Sequence, residues 1–283
     1  MDQAVRLREL AGRRRAGRGR VVVVASGKGG VGKTNIVVNL GLILVRQEQR
    51  VLIFDADLGL ANVDILLGLV PRANLQEVIN GRRALEEIVT QGPHGLLLVP
   101  GASGLQELAD LDPLARNRLL DELAALAAGV DLTLVDCGAG ISRTVLSFAA
   151  AAGEGVVVAT PEPTSITDAY GLIKALQRLQ ISVSLLVNRA TSPAEGRETA
   201  ARIQGACHRF LQLEVPLLGV IPEDHRVGQA VRCQQPFSEL YPRCPAARAL
   251  AEAAVRLLGQ EGGELPPGRG QGFWQRLGRL LGR

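Results

Sequence analysis

Aromatic residues are scarce in this chain. They make up 3% of its 283 residues, with one tryptophan, while apolar residues together reach 47%. The core therefore has to be built from Val, Leu, Ile and Ala, which suits a parallel sheet buried on both faces. Cysteine is sparse too. Cys137, Cys207, Cys233 and Cys244 form no C-x-x-C pair, so neither a zinc nor an iron–sulfur site is signalled, and packed, reduced thiols are expected. No uncharged apolar run reaches the roughly 18 residues that a spanning helix needs. The opening "MDQAVRLREL" is charged and lacks a secretory core. These absences lead us to expect a cytoplasmic protein without a transmembrane segment. The length fits one large α/β domain or two small ones.

Lysine is nearly absent. Of 32 basic residues only Lys28, Lys33 and Lys174 are lysines; the rest are arginine. Lysine is a compact point charge on a flexible stem, and arginine is a broad planar fork. Two lysines in one glycine-rich loop therefore mark a crowded, chemically constrained cradle.

That loop, "GKGGVGKT" (27–34), follows the β-branched run "VVVVA" and precedes "TNIVVNLGLILVR", which has helical apolar periodicity. It fits G-x-x-x-x-G-K-[ST] in the strand–loop–helix setting that a phosphate-binding loop needs. Backbone N–H groups of Gly27, Gly29, Gly30, Val31 and Gly32, of the helix start and of Asn35 converge on phosphate oxygens. Lys33 is expected to reach the β- and γ-phosphates of a nucleotide, and the Thr34 hydroxyl to ligate Mg²⁺. Two more apolar runs end in carboxylates: "VLIF" before Asp55 and Asp57, and "LTLV" before Asp136. Asp136 and Asp55 are expected to support the metal, Asp57 to orient an attacking water, and the Gly138 N–H to meet the γ-phosphate. Cys137 is either a small packed residue or a reactive thiol beside the phosphates.

Strand and helix patterns alternate along the chain, with strands read at "RVLIFDAD", "GLLLVPGA", "DLTLVDCGAG", "GVVVATPEP", "SVSLLVNR" and "LLGVIPED". Helices are expected from Asp112–Pro113 to about Ala128, from Ser142 to Ala151, from Ser165 to Leu179 and around 194–212. The fold class is α/β: a doubly wound, mainly parallel sheet with helices on both faces. We divide the chain into 1–20 (a short helix and a basic linker), 21–258 (the nucleotide domain), 259–272 (a Gly/Pro-rich linker) and 273–283.

The basic arm "GRRRAGRGR" is a solvated linker or a contact for an acidic partner. In the last segment Phe273, Trp274, Leu277, Leu280 and Leu281 share one helical face, with Arg276, Arg279 and Arg283 beside it. That pattern predicts an interfacial helix on an anionic membrane, or a helix docked on the protein's own surface.

"KGGVGKT", with its early lysine, resembles the deviant phosphate-binding motif of the MinD/ParA class of P-loop ATPases, over about residues 20–258. The resemblance implies an ATP-sandwich homodimer in which Lys28 touches the partner's phosphates while Lys33 serves its own. It implies that Asp57 in "DADLG" orients water and that Asp136 is the metal-supporting aspartate. It also implies that Asn188 and Arg189 in "VNR", with Pro222 and Asp224 in "IPED", surround the base and ribose. Asn35 stands where the class often has Thr or Ser.

"DADLGLANVDILLG", "TPEPTSITDAYGLIK" and "AVRCQQPF" are similar to the FlhG/FleN subfamily of flagellar-number regulators. "DQAVRLREL" resembles that subfamily's activator segment, which implies that Asp2, Gln3, Ala4, Leu7 and Arg8 contact the GTPase FlhF. The subfamily implies a cytoplasmic ATPase, reversibly peripheral at the membrane, with C-ring proteins or a flagellar transcription regulator as further partners and no direct nucleic-acid binding. A MinD-type division-site regulator and a ParA-like DNA segregation ATPase are the alternatives.

Overall fold

A computed structural model describes residues 19–57, 63–101, 112–259 and 269–281. Asp2, Gln3, Ala4, Leu7 and Arg8, and most of the basic arm, lie outside the described residues.

Among the described residues eight strands form one sheet: β1 (Arg20–Ser26), β2 (Val51–Ala56), β3 (Thr90–Gln91), β4 (Leu97–Val99), β5 (Leu132–Ala139), β6 (Glu154–Ala159), β7 (Ser182–Ala190) and β8 (Leu217–Pro222). Their order is β3-β4-β2-β5-β1-β6-β7-β8. All neighbours pair in parallel except β3, which runs antiparallel to β4 at the edge. The long helices are α1 (Lys33–Arg46), α2 (Pro113–Ala128), α3 (Arg143–Ala152), α4 (Pro163–Arg178), α5 (Pro193–Leu211), α6 (His225–Arg232), α7 (Pro245–Gly259) and α8 (Arg269–Leu281).

The valine run of β1 shows why the strands are apolar throughout. Val21, Val23 and Ala25 face one core, shared with α2, α3, α4, α5 and α8. Val22 and Val24 face the other, shared with α1 and α7. Neither face meets water, so no polar alternation is tolerated.

Helix starts follow local chemistry. The Asp112 carboxylate accepts the Leu114 N–H at 2.8 Å, and Pro113 takes the next position. Ser142 and Ser192 cap α3 and α5 in the same way. Helix α4 begins at Pro163, two residues before the expected Ser165. Proline is at home in a first helical turn, and the Ser165 hydroxyl instead accepts the Thr160 N–H at 2.9 Å.

Helix α8 begins inside the stretch that composition marks as linker. It lies in a groove between α2 and α3, over β1 and against Phe54 of β2. Phe273, Trp274 and Leu277 are fully buried there; Leu280 is half-buried, and nothing is described of the Leu281 side chain. The Trp274 ring meets Phe54 of β2 edge-on, with centroids 5.1 Å apart, and Phe273 lies 6.4 Å from Phe148 of α3. Gly278, unfavourable inside a helix by about 1 kcal/mol, has a packing reason here. A Cβ at this position would stand 2.3 Å from Leu120 Cδ1. The apolar face expected to meet lipid is thus turned inward in this conformation.

Candidate nucleotide site

The parallel strands deliver their C-terminal ends to one edge, where ligands of doubly wound sheets bind. At that edge β1 ends in Ser26, β2 leads into Asp57, and β5 carries Asp136. Between them, a cavity of about 540 Å³ is lined by Gly29–Asn35 together with Ser26, Asp57, Ala139, Ile65 and Val231. A depression of about 550 Å³ beside α8, lined by Arg116 and Arg279 among others, matches it in volume but lacks the converging backbone donors.

Helix α1 opens behind Gly32, which adopts φ 86° and supplies no side-chain cap. The first N–H groups of α1 are therefore left for an anion. A Cβ on Gly32 would lie 2.6 Å from Asn188 Nδ2, so the loop admits only glycine here. Asn188, nearly buried, donates from Nδ2 to the Val31 carbonyl at 2.8 Å and ties β7 to the loop. Arg189, Pro222 and Asp224 contribute no wall to the cavity. Asp224 instead caps α6, accepting the Arg226 N–H at 3.0 Å.

The two loop lysines go to different places. Lys33 is buried and its Nζ meets Asp136 Oδ1 at 2.6 Å. Lys28 is partly exposed, and its Nζ meets Glu162 Oε2 at 2.7 Å and Thr164 Oγ1 at 3.0 Å. Both acceptors belong to the start of α4: Thr164 lies in its first turn, and Glu162 is its N-cap residue. Lys28 holds the exposed Glu162 carboxyl below the usual range. Both acceptors lie in "TPEPT" (160–164), a stretch with no local pattern that pairs them with Lys28.

The carboxylates are crowded. Asp55 and Asp136 are register partners on β2 and β5. Burial, and then the Asp136 charge, push Asp55 up to about 7. Burial also raises Asp136, although Lys33 and the Thr34 hydroxyl pull against it. Asp136 Oδ2 is buried and has no hydrogen-bond partner among the described residues. An orphaned carboxylate oxygen, a second acid beside it and a hydroxyl next in the chain to Lys33 are the donor set that Mg²⁺ takes. Thr34, Asp136 and Asp55 therefore fit the ion. The Asp57 N–H donates to Asp55 Oδ1 at 3.1 Å. Cys137 is fully buried, and burial drives its thiol far above its ordinary value. It stays protonated and is a packed residue, not a nucleophile.

Residues 22–237 match the model of the CobQ/CobB/MinD/ParA nucleotide binding domain. The chain belongs to that family. Among its relatives, the antiactivator FleN of Pseudomonas aeruginosa is 44% identical over 239 residues, covering 84% of this chain and 85% of FleN. The flagellum site-determining protein YlxH of Helicobacter pylori is 34% identical over 271 residues, covering 94% and 92%. Among solved structures of the family, the MinC:MinD cell division complex of Aquifex aeolicus contains a chain similar at TM-score 0.70 and 29% identity, covering 87% of this chain and 98% of that one. MinD of Pyrococcus horikoshii, solved with Mg-ADP, is similar at TM-score 0.70 and 26% identity, covering 87% and 99%. The family's nucleotide domain accounts for the phosphate loop, the parallel sheet and the carboxylates gathered at its edge.

Proposed function

We propose that this protein is an ATP-dependent dimerising ATPase that cycles onto the membrane and regulates the number or placement of flagella. The observation that carries the reading is the division of labour between two lysines of one loop. Lys33 is committed inside its own site, and Lys28 is held outside it.

In this reading the loop N–H groups and Lys33 bind the phosphate chain. Thr34, Asp136 and Asp55 hold Mg²⁺, which when bound neutralises charge developing on the phosphates. Gly138 meets the γ-phosphate, and Asp57 orients the attacking water. Asn188 acts on the base from the position where it braces Val31, and Arg189, Pro222 and Asp224 close the neighbouring edge. Lys28 leaves Glu162 and Thr164 and neutralises the phosphates of a second copy, so a complete site exists only in the dimer.

Helix α8 is the membrane element. Burying each large apolar side chain gains about 1.5–3 kcal/mol, whether in the groove or in a bilayer. The two hosts therefore compete on similar terms for Phe273, Trp274, Leu277, Leu280 and Leu281. A dimer tips the balance, because insertion of the second tail is intramolecular, and Arg276, Arg279 and Arg283 add attraction to anionic lipid.

The flagellar assignment rests on FleN and YlxH, whose names give an antiactivator and a flagellum site-determining role. It brings an FlhF-type GTPase, met by Asp2, Gln3, Leu7 and Arg8, and C-ring proteins or a transcription regulator as partners. A MinD-type division role is the second reading, favoured by the solved MinD neighbours at 29% and 26% identity. Sedimentation with anionic vesicles tests the cycle. ATP should pellet the native chain and ADP should not, and deletion of residues 273–283 should abolish pelleting; equal pelleting with both nucleotides would refute it. A peptide of residues 1–20 should stimulate the GTPase, and its Gln3→Ala form should not; a native peptide without effect favours the division role.

A further inference from the structure

Ser26 sits at the junction of the two loops on which the proposed cycle depends, and it bonds to both. It closes β1 and is 1% exposed. Its hydroxyl donates to the Lys28 carbonyl at 2.9 Å. Its carbonyl accepts the Gly140 N–H at 2.8 Å. Gly140 directly follows β5, the strand of Asp136, in which Gly138 lies beside Asp57: a Cβ on Gly138 would stand 3.6 Å from Asp57 Oδ1.

The strand register shows that this junction is specially built. Val24 pairs with Asp136, but two residues on Ser26 pairs with Ala139 and not with Gly138. One extra residue is inserted in β5 between Asp136 and Ala139. Such bulges are rare in parallel pairs, bend the strand that carries them and occur beside active sites, where they re-aim groups. On the other side, the lysine loop has no slack. A Cβ on Gly27 would lie 2.3 Å from the Asp168 backbone, so the chain presses against α4 immediately before Lys28. A displacement of the bulged segment therefore reaches the Lys28 carbonyl through Ser26, whose own carbonyl and hydroxyl bond the two sides.

We propose that Ser26 is a positioning residue that couples occupancy of the γ-phosphate position, felt at residues 138–140, to the setting of Lys28. The proposal rests on the reading above that Lys28 acts in a partner's site. Ser26 itself touches no reacting atom in this scheme. Removing the hydroxyl leaves the backbone bond to Gly140 intact but cuts the bond to Lys28. The sensing loop still responds, and the lysine loop no longer follows.

Amide exchange of the full chain, at a concentration where sedimentation shows only monomer, tests this. A non-hydrolysable ATP analogue, compared with ADP, should slow exchange in both 138–141 and 27–32 of the native chain. In Ser26→Ala it should slow exchange in 138–141 only. Dimerisation with the analogue should weaken by about tenfold, the scale of one buried hydrogen bond. Ser26→Thr, which keeps the hydroxyl, should restore both readouts. A native-like response of 27–32 in Ser26→Ala, or no rescue by Ser26→Thr, would each overturn the coupling. Lys28→Ala that dimerises as the native chain does would instead remove the reading of Lys28, while the exchange data would still report on Ser26.

Discussion

Trp274 of α8 meets Phe54 of β2 edge-on, with ring centroids 5.1 Å apart and ring planes at 70°. Through this contact the C-terminal helix is seated on the strand that leads into Asp55 and Asp57. The tail thus touches the residue that directly precedes Asp55. The chain holds a single tryptophan, so its emission reports on the tail alone.

Gly278 offers a way to loosen that seat without touching the apolar face. Its missing side chain admits Leu120, and a Cβ would meet Leu120 Cδ1 at 2.3 Å. Gly278→Ala raises helix propensity by about 1 kcal/mol but overpacks the groove, at a typical cost of about 1–3 kcal/mol. The docked state should weaken while the helix itself strengthens. Trp274 emission should shift to the red in the nucleotide-free chain, and vesicle binding should lose part of its dependence on ATP. Unchanged emission and an unchanged vesicle requirement would show that Gly278 does not govern docking.

Asp57 lines the cavity beside the phosphate loop, and its N–H is held by Asp55. Its proposed role is to orient water, so its loss should slow chemistry more than binding. Asp57→Ala should keep ATP affinity within about threefold, lower turnover by about 10²-fold or more and accumulate an ATP-bound dimer in size-exclusion runs. Native turnover in this variant would remove Asp57 from the mechanism.

Much of the fold can be read in the residues. "VVVVA" before a glycine loop, Asp112–Pro113 at a helix start, and strands without polar alternation each carry a local physical reason for the element they form. The edge strand β3 has two residues, too few for any periodicity to show. The amphipathic face of α8 is equally legible, but its host is not. A protein groove and a bilayer both reward the same apolar stripe, and only the packing of Trp274 on Phe54 separates them. At the site, the Lys33–Thr34 pair is legible from the spacing of the glycine loop, and the place of Asp136 at the sheet edge from the apolar run before it; their parts toward phosphate and metal are those proposed above. The resting place of Lys28 was not. Glu162 and Lys28 are 134 positions apart, brought together by a crossover connection that no local pattern reveals. The protonated state of Cys137 depends likewise on burial by neighbours distant in sequence.

The central claim is that the two lysines of one loop serve two different subunits. Sedimentation velocity with a non-hydrolysable ATP analogue, paired with a direct measurement of nucleotide affinity, tests it on the variants Lys28→Ala and Lys33→Ala. Lys28→Ala should bind the analogue as the monomer does, within about threefold, and should stay monomeric, because the lost charge belongs to the partner's phosphates. Lys33→Ala should lose affinity by about 10²-fold, the cost of removing a charge-assisted contact of roughly 3 kcal/mol. A Lys28→Ala chain that forms the nucleotide-dependent dimer with native affinity would contradict the account.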